Sequence, residues 1–406
     1  MAATLIARTV EIPDPGDLIA RIPIPSGLAW VRHGEGLVGW GEAARVPVPP
    51  GADRFGEAQE RLTDLFGRME VEDGVGEPGS GPVAFCAFTF DLEAVGSIMI
   101  VPSTILARRS GRAWLTTVGV RPPTPAMPVR SPAGVTYEDD YAGAVDWMRC
   151  VEKALAVLGG GRLGKVVLAR SLSAFAAEPF DARALLRRLA GRFPGCYAFA
   201  CDGLVGATPE LLVRRTRDHV ESLVLAGTTR RGRDQEEDAA LAAALVSSAK
   251  DRAEHAHAAD SVRNTLQKLC ADLHADADPH VLPLANVQHL ATAISGRLSA
   301  RRGILDVAAA LHPTPAVCGT PPGPAMELIR ELEPAGRNRY AGPVGWLDAA
   351  GNGELGIALR CAEVSGHQAR LYAGCGIVAE SDPAAELAET RLKFEAMQYA
   401  IGADPR

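Results

Sequence analysis

The first 120 residues contain short apolar runs separated by glycine, proline and charged residues. Such runs occupy 28–31, 37–40 and 83–88, and apolar runs of this length between turn residues are typical of antiparallel strands. Five prolines then fall between positions 121 and 134, and proline excludes both a helix interior and a central strand. The pattern therefore predicts a strand-rich first part that ends at a proline-rich stretch.

Beyond position 134 the chain alternates longer helical periods with strands. A helix is predicted to start at Thr136, before acidic residues at 138–140, and to run toward the glycines at 159–161. Further helices are predicted at about 180–193, 236–248, 251–272, 304–311, 324–332 and 384–401. Strands are predicted at 165–170, 203–213, 222–225, 355–362 and 370–378. Strand pairs joined by short turns, as at 365–367, favour an α+β fold with antiparallel sheets over a doubly wound parallel sheet.

Composition and charge narrow the class of protein. Of the 406 residues, 47% are hydrophobic and 22% are charged, which are ordinary values for a globular protein. The net charge of −7 repels phosphate backbones and anionic lipids, so neither nucleic acid nor a membrane is an expected partner. No apolar run approaches the ~20 residues of a membrane span and no signal-peptide core is visible, so a cytoplasmic location is expected. The eight cysteines form no CxxC pair, which favours reduced thiols.

One glycine motif is better explained by a turn than by a dinucleotide-binding site. Residues 34–39 (GEGLVG) match the dinucleotide-binding pattern GxGxxG, which requires a helix to begin at its last glycine. Here Trp40, Gly41 and Glu42 follow, and strand-like residues lie on both sides. We therefore expect a β-hairpin turn with glycines at positive φ.

Acidic residues on two predicted helices are candidates for a metal site. Glu254 lies on an otherwise apolar helix face, and Glu386, Glu389 and Lys393 share a face of the last helix. A zinc site is not expected, because the histidines at 255 and 257 point away from each other on a helix. Carboxylates without imidazole suit Mg²⁺. An i,i+4 surface pair of Glu389 and Lys393 is the alternative explanation of the second face.

Five further positions place polar chemistry among apolar or small neighbours. Lys165 begins an apolar strand and is either a solvated strand end or a desolvated general base. Glu210 is the only acid in its turn-and-strand segment, where burial would raise its pKa and let it deliver a proton. The glycines at 374 and 376 either free backbone N–H groups for a carboxylate or mark a bulge. Arg360 has small neighbours, so its guanidinium suits a ligand carboxylate.

Several segments together resemble the chorismate-utilising enzymes, and their order and spacing match that family as well. They are KVVLAR at 165–170, GATPELL at 206–212, LAGTTR at 225–230, SSAKDRAEH at 247–255, HPTPAVCG at 312–319, YAGPVGW at 340–346, AGCGIV at 373–378 and ELAET at 386–390. The resemblance covers about 135–401 strongly and the first 130 residues weakly. Within the family the chain is most similar to the isochorismate synthases of siderophore and menaquinone routes.

The resemblance implies a fold and a reaction. The fold is a single large α+β domain over 1–406, with two layered antiparallel sheets in the core and helices outside. Residues 1–134 would complete the core, and 135–401 would carry the catalytic motifs. The implied reaction is the reversible, Mg²⁺-dependent conversion of chorismate to isochorismate, in which water adds at C2 as the C4 hydroxyl leaves. Lys165 matches the lysine that activates water and Glu210 the acid that protonates the leaving hydroxyl.

The resemblance also implies ligand-binding positions. Glu254 and Glu389 match the direct Mg²⁺ ligands, with Asp251 and Glu386 as water-mediated neighbours. The substrate-binding positions implied are Gly227, Thr228, His289, Ala316, Val317, Tyr340, Arg360, Gly374, Cys375, Gly376 and Lys393.

A few residues decide between subfamilies. Family members that use ammonia from a glutaminase lack a lysine at position 165, so water is the expected nucleophile and no glutaminase subunit is expected. Ala316 and Val317 resemble isochorismate synthases more than salicylate synthases, which are the main alternative. Ala253 and Gly356 depart from the family pattern without touching the proposed acid or base. A catalytically silent chorismate-binding homologue is the alternative from another functional class.

Overall fold

Two layered β-sheets form the centre of the molecule. The computed structural model describes residues 5–119, 124–138 and 140–402, without the side chains of 140–142. The chain start, the first two prolines of the proline-rich stretch and Asp139 of the predicted helix start lie outside these residues. Within the described residues the strands are β1 (Ile6–Ile12), β2 (Leu28–Arg32), β3 (Glu35–Trp40), β4 (Ala44–Val48), β5 (Glu70–Asp73), β6 (Val83–Ala87), β7 (Ser97–Val101), β8 (Thr104–Arg109), β9 (Arg112–Val118), β10 (Thr136–Tyr137), β11 (Lys165–Phe175), β12 (Tyr197–Cys201), β13 (Leu204–Thr208), β14 (Leu211–Thr216), β15 (His219–Arg230), β16 (Cys270–Ala275), β17 (His280–Pro283), β18 (Val287–Leu298), β19 (Gly319–Thr320), β20 (Pro343–Asp348), β21 (Gly353–Ile357), β22 (Cys361–Ser365) and β23 (Gln368–Ile377).

Helices cover the sheets. In the same described ranges they are α1 (Arg54–Gly67), α2 (Asp140–Leu158), α3 (Ala182–Arg192), α4 (Gln235–Ser247), α5 (Ala249–Gln267), α6 (Ile304–Leu311), α7 (Pro322–Leu332) and α8 (Pro383–Ile401), with a short 3₁₀ turn at Ile19–Arg21. None of the helices that the structure describes combines the length and the apolar character needed to cross a bilayer.

The strand order mixes early and late parts of the chain. The first sheet runs β10–β11–β23–β22–β13–β12–β2–β3–β8–β9–β1–β5, with β19 paired to β11. The second runs β16–β18–β15–β14–β21–β20–β6–β7–β4, with β17 paired to β18. Strands β1 and β5 pair in parallel, whereas the pairs nearest the candidate site, β11–β23 and β15–β18, are antiparallel. The predicted α+β class with two layered antiparallel sheets is therefore confirmed.

The main core lies between the two sheets. Trp30 on the first sheet and Phe85 and Trp346 on the second are each at most 1% exposed and belong to one apolar cluster. The Trp30 indole Nε1 donates a 2.9 Å hydrogen bond to Glu354 on the second sheet, so this buried donor is paired, as buried polar groups require. A second cluster packs α3 and α8 against the outer face of the first sheet.

The GxGxxG segment is a hairpin turn, as predicted. Strands β2 and β3 pair in antiparallel register from Leu28 opposite Gly39 to Arg32 opposite Glu35. Gly34 in the turn has a φ of 76°, a conformation that glycine adopts at little cost. No helix opens at the last glycine of the motif, because Gly39 lies inside β3.

Two predicted helix boundaries were wrong. The helix predicted over 251–272 ends at Gln267, and Cys270–Ala275 instead pairs with β18 as an edge strand. Leu269 and Leu273 fit a helical period, but the strand satisfies its backbone hydrogen bonds against β18 and still packs Leu273 on the core. The predicted helix start at Thr136 was also wrong, because Thr136 pairs with Phe175 of β11 and α2 begins at Asp140.

Two predicted strands are each broken into two. The segment 203–213 divides at Pro209 and Glu210, since β13 belongs to the first sheet and β14 to the second. The segment 355–362 divides in the same way between β21 and β22, and Arg360 in the break has a φ of 48°. Both breaks occur where the chain crosses from one sheet to the other, and both carry a predicted site residue.

Candidate active site

One cavity between the sheets collects most of the predicted site residues. It is bounded by β11 and β23 on one side, β15 and β18 on the other, and α5 and α8 at its mouth. The predicted residues that line it are Lys165, Glu210, Gly227, Thr228, Glu254, His289, Ala316, Val317, Tyr340, Arg360, Gly374, Cys375, Gly376, Glu389 and Lys393. The remaining two predicted residues, Asp251 and Glu386, do not line it.

Lys165 is the first residue of β11 and points into the cavity. Its Nζ donates a 2.8 Å hydrogen bond to Glu254 Oε1 on α5, and its side chain is 14% exposed. Gly376, opposite Val167 on β23, leaves the space that the lysine occupies. A Cβ at position 376 would come within 2.4 Å of Lys165 Cε, so glycine is needed there for the observed lysine position.

Glu210 lies in the crossover between β13 and β14 and is 6% exposed. Its backbone oxygen accepts from Ile357 N at 3.2 Å, which fixes the crossover against β21. Burial raises the pKa of Glu210 to about 8, although Arg360, Lys165 and Lys393 act in the opposite direction. The carboxyl is therefore mainly protonated at neutral pH and can donate a proton, which agrees in direction with the prediction from the sequence.

The helices α5 and α8 bring two carboxylates to the cavity mouth. Ser248 caps α5 by accepting from Asp251 N, and Asp382 caps α8 by accepting from Ala385 N. These caps set the first turns that precede Glu254 and Glu389. The i,i+4 pair considered in the sequence is present, with Lys393 Nζ at 2.6 Å from Glu389 Oε1, but it faces the cavity.

Lys393 has a second acceptor. Its Nζ donates to the Gly374 carbonyl oxygen on β23 at 2.7 Å, so the ammonium bridges α8 and the first sheet. Burial opposes ionisation of Glu389, but the adjacent Lys393 ammonium lowers its pKa overall. Glu389 is therefore anionic at neutral pH.

The two acids that do not line the cavity have local roles in the structure. Glu386 is buried and accepts a 2.7 Å hydrogen bond from the Ser381 hydroxyl at the start of α8. Asp251 lies in the first turn of α5, beside Gly227 of β15. A Cβ at position 227 would come within 3.3 Å of Asp251 Cβ, and Gly227 has a φ of 76°. The β-bulge there thus depends on glycine for both its conformation and its packing.

A further part of the cavity wall carries Arg360, His289 and Tyr340. Among the described residues the Arg360 guanidinium makes no side-chain hydrogen bond, although it lines the cavity. His289 Nδ1 pairs with Thr228 Oγ1 at 3.0 Å, whereas its buried Nε2 has no partner. Burial, together with Arg360 and Lys393, lowers the pKa of His289 to about 3, so the ring is neutral. This wall offers a free guanidinium fork and a neutral imidazole to a ligand.

Sequence reasoning missed one charged residue of the cavity wall. Arg337 lines the cavity, but its guanidinium is paired with Glu333 at 2.7 Å and its side chain is 2% exposed. Because Glu333 compensates that charge, the charged groups that the cavity presents to a ligand are those of Lys165, Arg360 and Lys393 and the carboxylates of α5 and α8. This balance favours an anionic ligand together with a cation.

The donor chemistry fits Mg²⁺. Glu254 and Glu389 contribute carboxylate oxygens from two helices to one cavity, and Mg²⁺ is bound by one or two carboxylates with water and substrate oxygens. Nowhere in the described residues do three His, Cys, Asp or Glu side chains converge as ligands. Such a site suits an ion that keeps several waters and does not suit one that requires a complete protein cage.

Comparison with known proteins gives the same family. Residues 124–402 match the family described as chorismate binding enzyme. A candidate isochorismate synthase, MenF, of Mycobacterium tuberculosis is 42% identical over 340 residues, which are 80% of this chain and 88% of that protein. The isochorismate synthase DhbC of Bacillus subtilis is 44% identical over 271 residues, which are 64% of this chain and 68% of that protein.

A solved structure has the same architecture. It is a candidate 2,3-dihydroxybenzoate-specific isochorismate synthase, DhbC, from Bacillus anthracis, which superposes with a TM-score of 0.79 at 32% identity. The superposition covers 95% of this chain and 99% of the other. The chain thus belongs to the chorismate-binding enzyme family, and the resemblance seen in its sequence motifs is confirmed.

Proposed function

We propose that this protein is an isochorismate synthase that converts chorismate reversibly to isochorismate with Mg²⁺. The observation that carries the proposal is the sharing of one cavity by Lys165 and a buried, protonated Glu210. A basic amine and a proton-donating carboxyl are the two groups that a water addition coupled to loss of a hydroxyl requires. The names of the Mycobacterium tuberculosis and Bacillus subtilis relatives support the same activity.

The charged wall supports binding of a dicarboxylate. The guanidinium of Arg360 offers a bidentate fork to one substrate carboxylate, and Lys393 and the Tyr340 hydroxyl lie on the same cavity. His289 is neutral and offers Nε2 to a substrate hydroxyl or carboxylate oxygen. Chorismate carries two carboxylates and one ring hydroxyl, which suit the two cations and the two neutral hydrogen-bonding groups of this wall.

Glu254 and Glu389, which line the cavity, would hold the metal ion. When bound, Mg²⁺ would compensate the negative charge of a substrate carboxylate next to these glutamates. In the structure the ammonium of Lys165 hydrogen-bonds Glu254. We expect Lys165 to give up this contact and to act as the neutral amine when it takes a proton from water, because an ammonium has no lone pair for that proton.

The proposed chemistry gives one role to each of the two groups. Lys165 removes a proton from a water molecule whose oxygen bonds to C2 of the ring. The ring double bonds shift, the C4–oxygen bond breaks, and Glu210 gives its proton to the departing hydroxyl, which leaves as water. In the reverse direction each group takes the role of the other, so the enzyme should stop at a mixture of chorismate and isochorismate.

Chromatography of the products tests the proposal. Purified protein is incubated with chorismate and Mg²⁺ near neutral pH, without any partner protein, and isochorismate is expected as the main product. Predominant salicylate and pyruvate would favour a salicylate synthase, and unchanged chorismate would favour a silent homologue. Anthranilate formed when ammonia is supplied would contradict water as the nucleophile and the expectation that no glutaminase subunit is needed.

A further inference from the structure

A buried ion pair forms part of the cavity wall. Glu333 follows the last residue of α7, and Arg337 lies four residues later in the connection to β20. The pair is bidentate, with Arg337 Nε and Nη2 each 2.7 Å from a different oxygen of Glu333. The Arg337 and Glu333 side chains are only 2% and 10% exposed.

The remaining hydrogen bonds of this pair tie together separate parts of the wall. Arg337 Nη1 donates to the Val317 carbonyl oxygen at 2.7 Å, and Nη2 donates to the Val167 carbonyl oxygen at 2.6 Å. Glu333 Oε1 accepts from Ala169 N at 2.8 Å. The pair therefore joins the strand that begins with the proposed base to the loop that carries Val317.

The third segment tied to the pair is the turn that carries Tyr340. The Tyr340 N–H donates to the Arg337 carbonyl oxygen at 3.0 Å. The guanidinium also lies 4.3 Å from the centre of the Phe90 ring, which covers it. Because the guanidinium is covered in this way, water cannot easily replace the hydrogen bonds that it makes.

The loop at 312–318 depends on such ties because it has no regular secondary structure. Its other anchors on β11 are the bond from Val167 N to the Cys318 carbonyl, at 2.8 Å, and the short β19 pairing. Among the described residues, the contact from Arg337 is the hydrogen bond that ties Val317 itself to a residue outside the loop, and the Val317 side chain lines the cavity. Without it, the segment opposite Lys165 has fewer constraints on its distance from β11.

We infer that Glu333 and Arg337 are positioning residues that fix the distance between the Lys165 strand and the Val317 loop. The inference rests on the proposed function, because it assumes that Lys165 and the wall act on one substrate. The pair makes no hydrogen bond to Arg360 or Lys393, and Tyr340 is tied to the backbone carbonyl of Arg337, which a side-chain replacement retains. A misplacement of ~1 Å at a reacting group can cost ~10²-fold in rate. The expected signature is a loss in kcat with little change in KM.

The test compares Arg337→Lys with a matched control. Lysine keeps the charge but cannot make the bidentate contact and both carbonyl contacts. The control is Arg183→Lys, since Arg183 is 1% exposed, is paired with Asp181 and donates to the carbonyl oxygens of Pro23, Met127 and Pro128. That pair packs at the start of α3 and does not line the cavity.

We expect both variants to lose thermal stability to a similar degree. Arg337→Lys should lower kcat by about 10- to 100-fold with KM within about threefold of the wild-type value, whereas Arg183→Lys should keep the wild-type kcat. If Arg337→Lys does not fold, Glu333→Gln keeps the shape of the pair and should show a smaller loss in kcat in the same direction. A kcat within twofold of wild type, or equal losses in both arginine variants, would overturn the inference.

This result is separable from failure of the proposed function. The kcat and KM values are measured on whatever product the wild-type protein forms from chorismate. If wild-type protein forms salicylate, the proposed activity is wrong. The positioning inference is then tested by comparing kcat for salicylate formation in the same variants. Wild-type protein that forms no product from chorismate would overturn both, because the pair would then have no reaction to position.

Discussion

Replacing Gly376 by alanine should remove activity without unfolding the protein. The added Cβ would lie 2.4 Å from Lys165 Cε and 3.0 Å from Lys165 Nζ. An ordinary carbon–carbon contact is ~3.5 Å or more, so the end of the lysine must retreat by about 1 Å. The atom that must move is the far end of a flexible side chain, and the backbone at 376 has no positive φ that would strain an alanine.

The two effects have different magnitudes. Displacement of a general base by ~1 Å costs ~10²-fold in rate, and complete loss of its function costs ~10²–10⁴-fold. For stability, alanine restricts the unfolded chain, which contributes ~0.4–1 kcal/mol in favour of folding. Moving the lysine off its preferred rotamer costs ~0.5–1.5 kcal/mol. We therefore expect the free energy of unfolding to change by no more than about 1 kcal/mol.

The assay combines steady-state rates from chorismate with urea unfolding of the same preparations. The matched control is Gly191→Ala in α3, where an added Cβ would meet nothing within 4 Å. That variant should be slightly more stable and fully active, because helical glycine is unfavourable relative to alanine. Full activity of Gly376→Ala would refute the reasoning about Lys165. A loss of several kcal/mol in stability would show that the backbone, and not the lysine, had yielded.

Three further outcomes follow from the same structure. Burial raises the pKa of Glu210 to about 8, so this group favours folding at low pH and loses that contribution as pH rises from its unfolded value through about 8. Glu210→Gln should therefore gain stability relative to wild type between those pH values in urea titrations, while its rate falls by ~10²–10⁴-fold. Glu254→Gln and Glu389→Gln should each weaken Mg²⁺ binding measured by titration calorimetry with chorismate present, and unchanged binding would exclude the two-helix site. Glu354→Ala should cost ~1–3 kcal/mol in thermal unfolding because it leaves the buried Trp30 Nε1 without an acceptor, while Arg214 keeps its pair with Glu221. Asp64→Ala, in an exposed pair with Arg68, should change stability by less than ~0.5 kcal/mol.

Local sequence patterns favoured the α+β class and singled out the charged and glycine positions of the cavity, whereas positions such as His289, Val317 and Tyr340 were implied by the family resemblance. Lys165 and Glu210 are recognisable because each is a charged residue in an apolar segment. Such a residue breaks the local hydrophobic pattern, which is expected where the charge has a function or a partner. The carboxylate of Glu254 stood out on its helix for the same reason. Such conflicts are visible in a few neighbouring residues, so they needed no knowledge of the three-dimensional structure.

Features that depend on distant partners were not predictable in this way. Arg337 looks like an ordinary loop arginine, because its carbonyl partners lie 20 and 170 residues away in the chain. The sequence predicts a continuous strand through Arg360, since the small and apolar residues around it fit a strand. The crossing between the two sheets imposes that break, and it was not visible in the local pattern.

The end of α5 illustrates the same limit. Leu269 and Leu273 satisfy a helical period, but β18 offers an edge with unpaired hydrogen-bonding groups to Cys270–Ala275. Tertiary pairing therefore overrode a local preference that was weak in either direction. The predicted helix boundary was wrong by five residues at this end, relative to Gln267, while the position of Glu254 on the helix was unaffected.

Isotopic labelling with solvent oxygen tests the central claim most directly, namely that this cavity adds water to C2 of chorismate. Protein, chorismate and Mg²⁺ are incubated in water enriched in ¹⁸O, and the isochorismate is isolated and analysed by mass spectrometry. We predict one ¹⁸O atom in the C2 hydroxyl, with label entering C4 of recovered chorismate as the reaction reverses. Isochorismate that carries only unlabelled oxygen would show that the hydroxyl migrates within the substrate, and it would contradict the role of Lys165 in activating water.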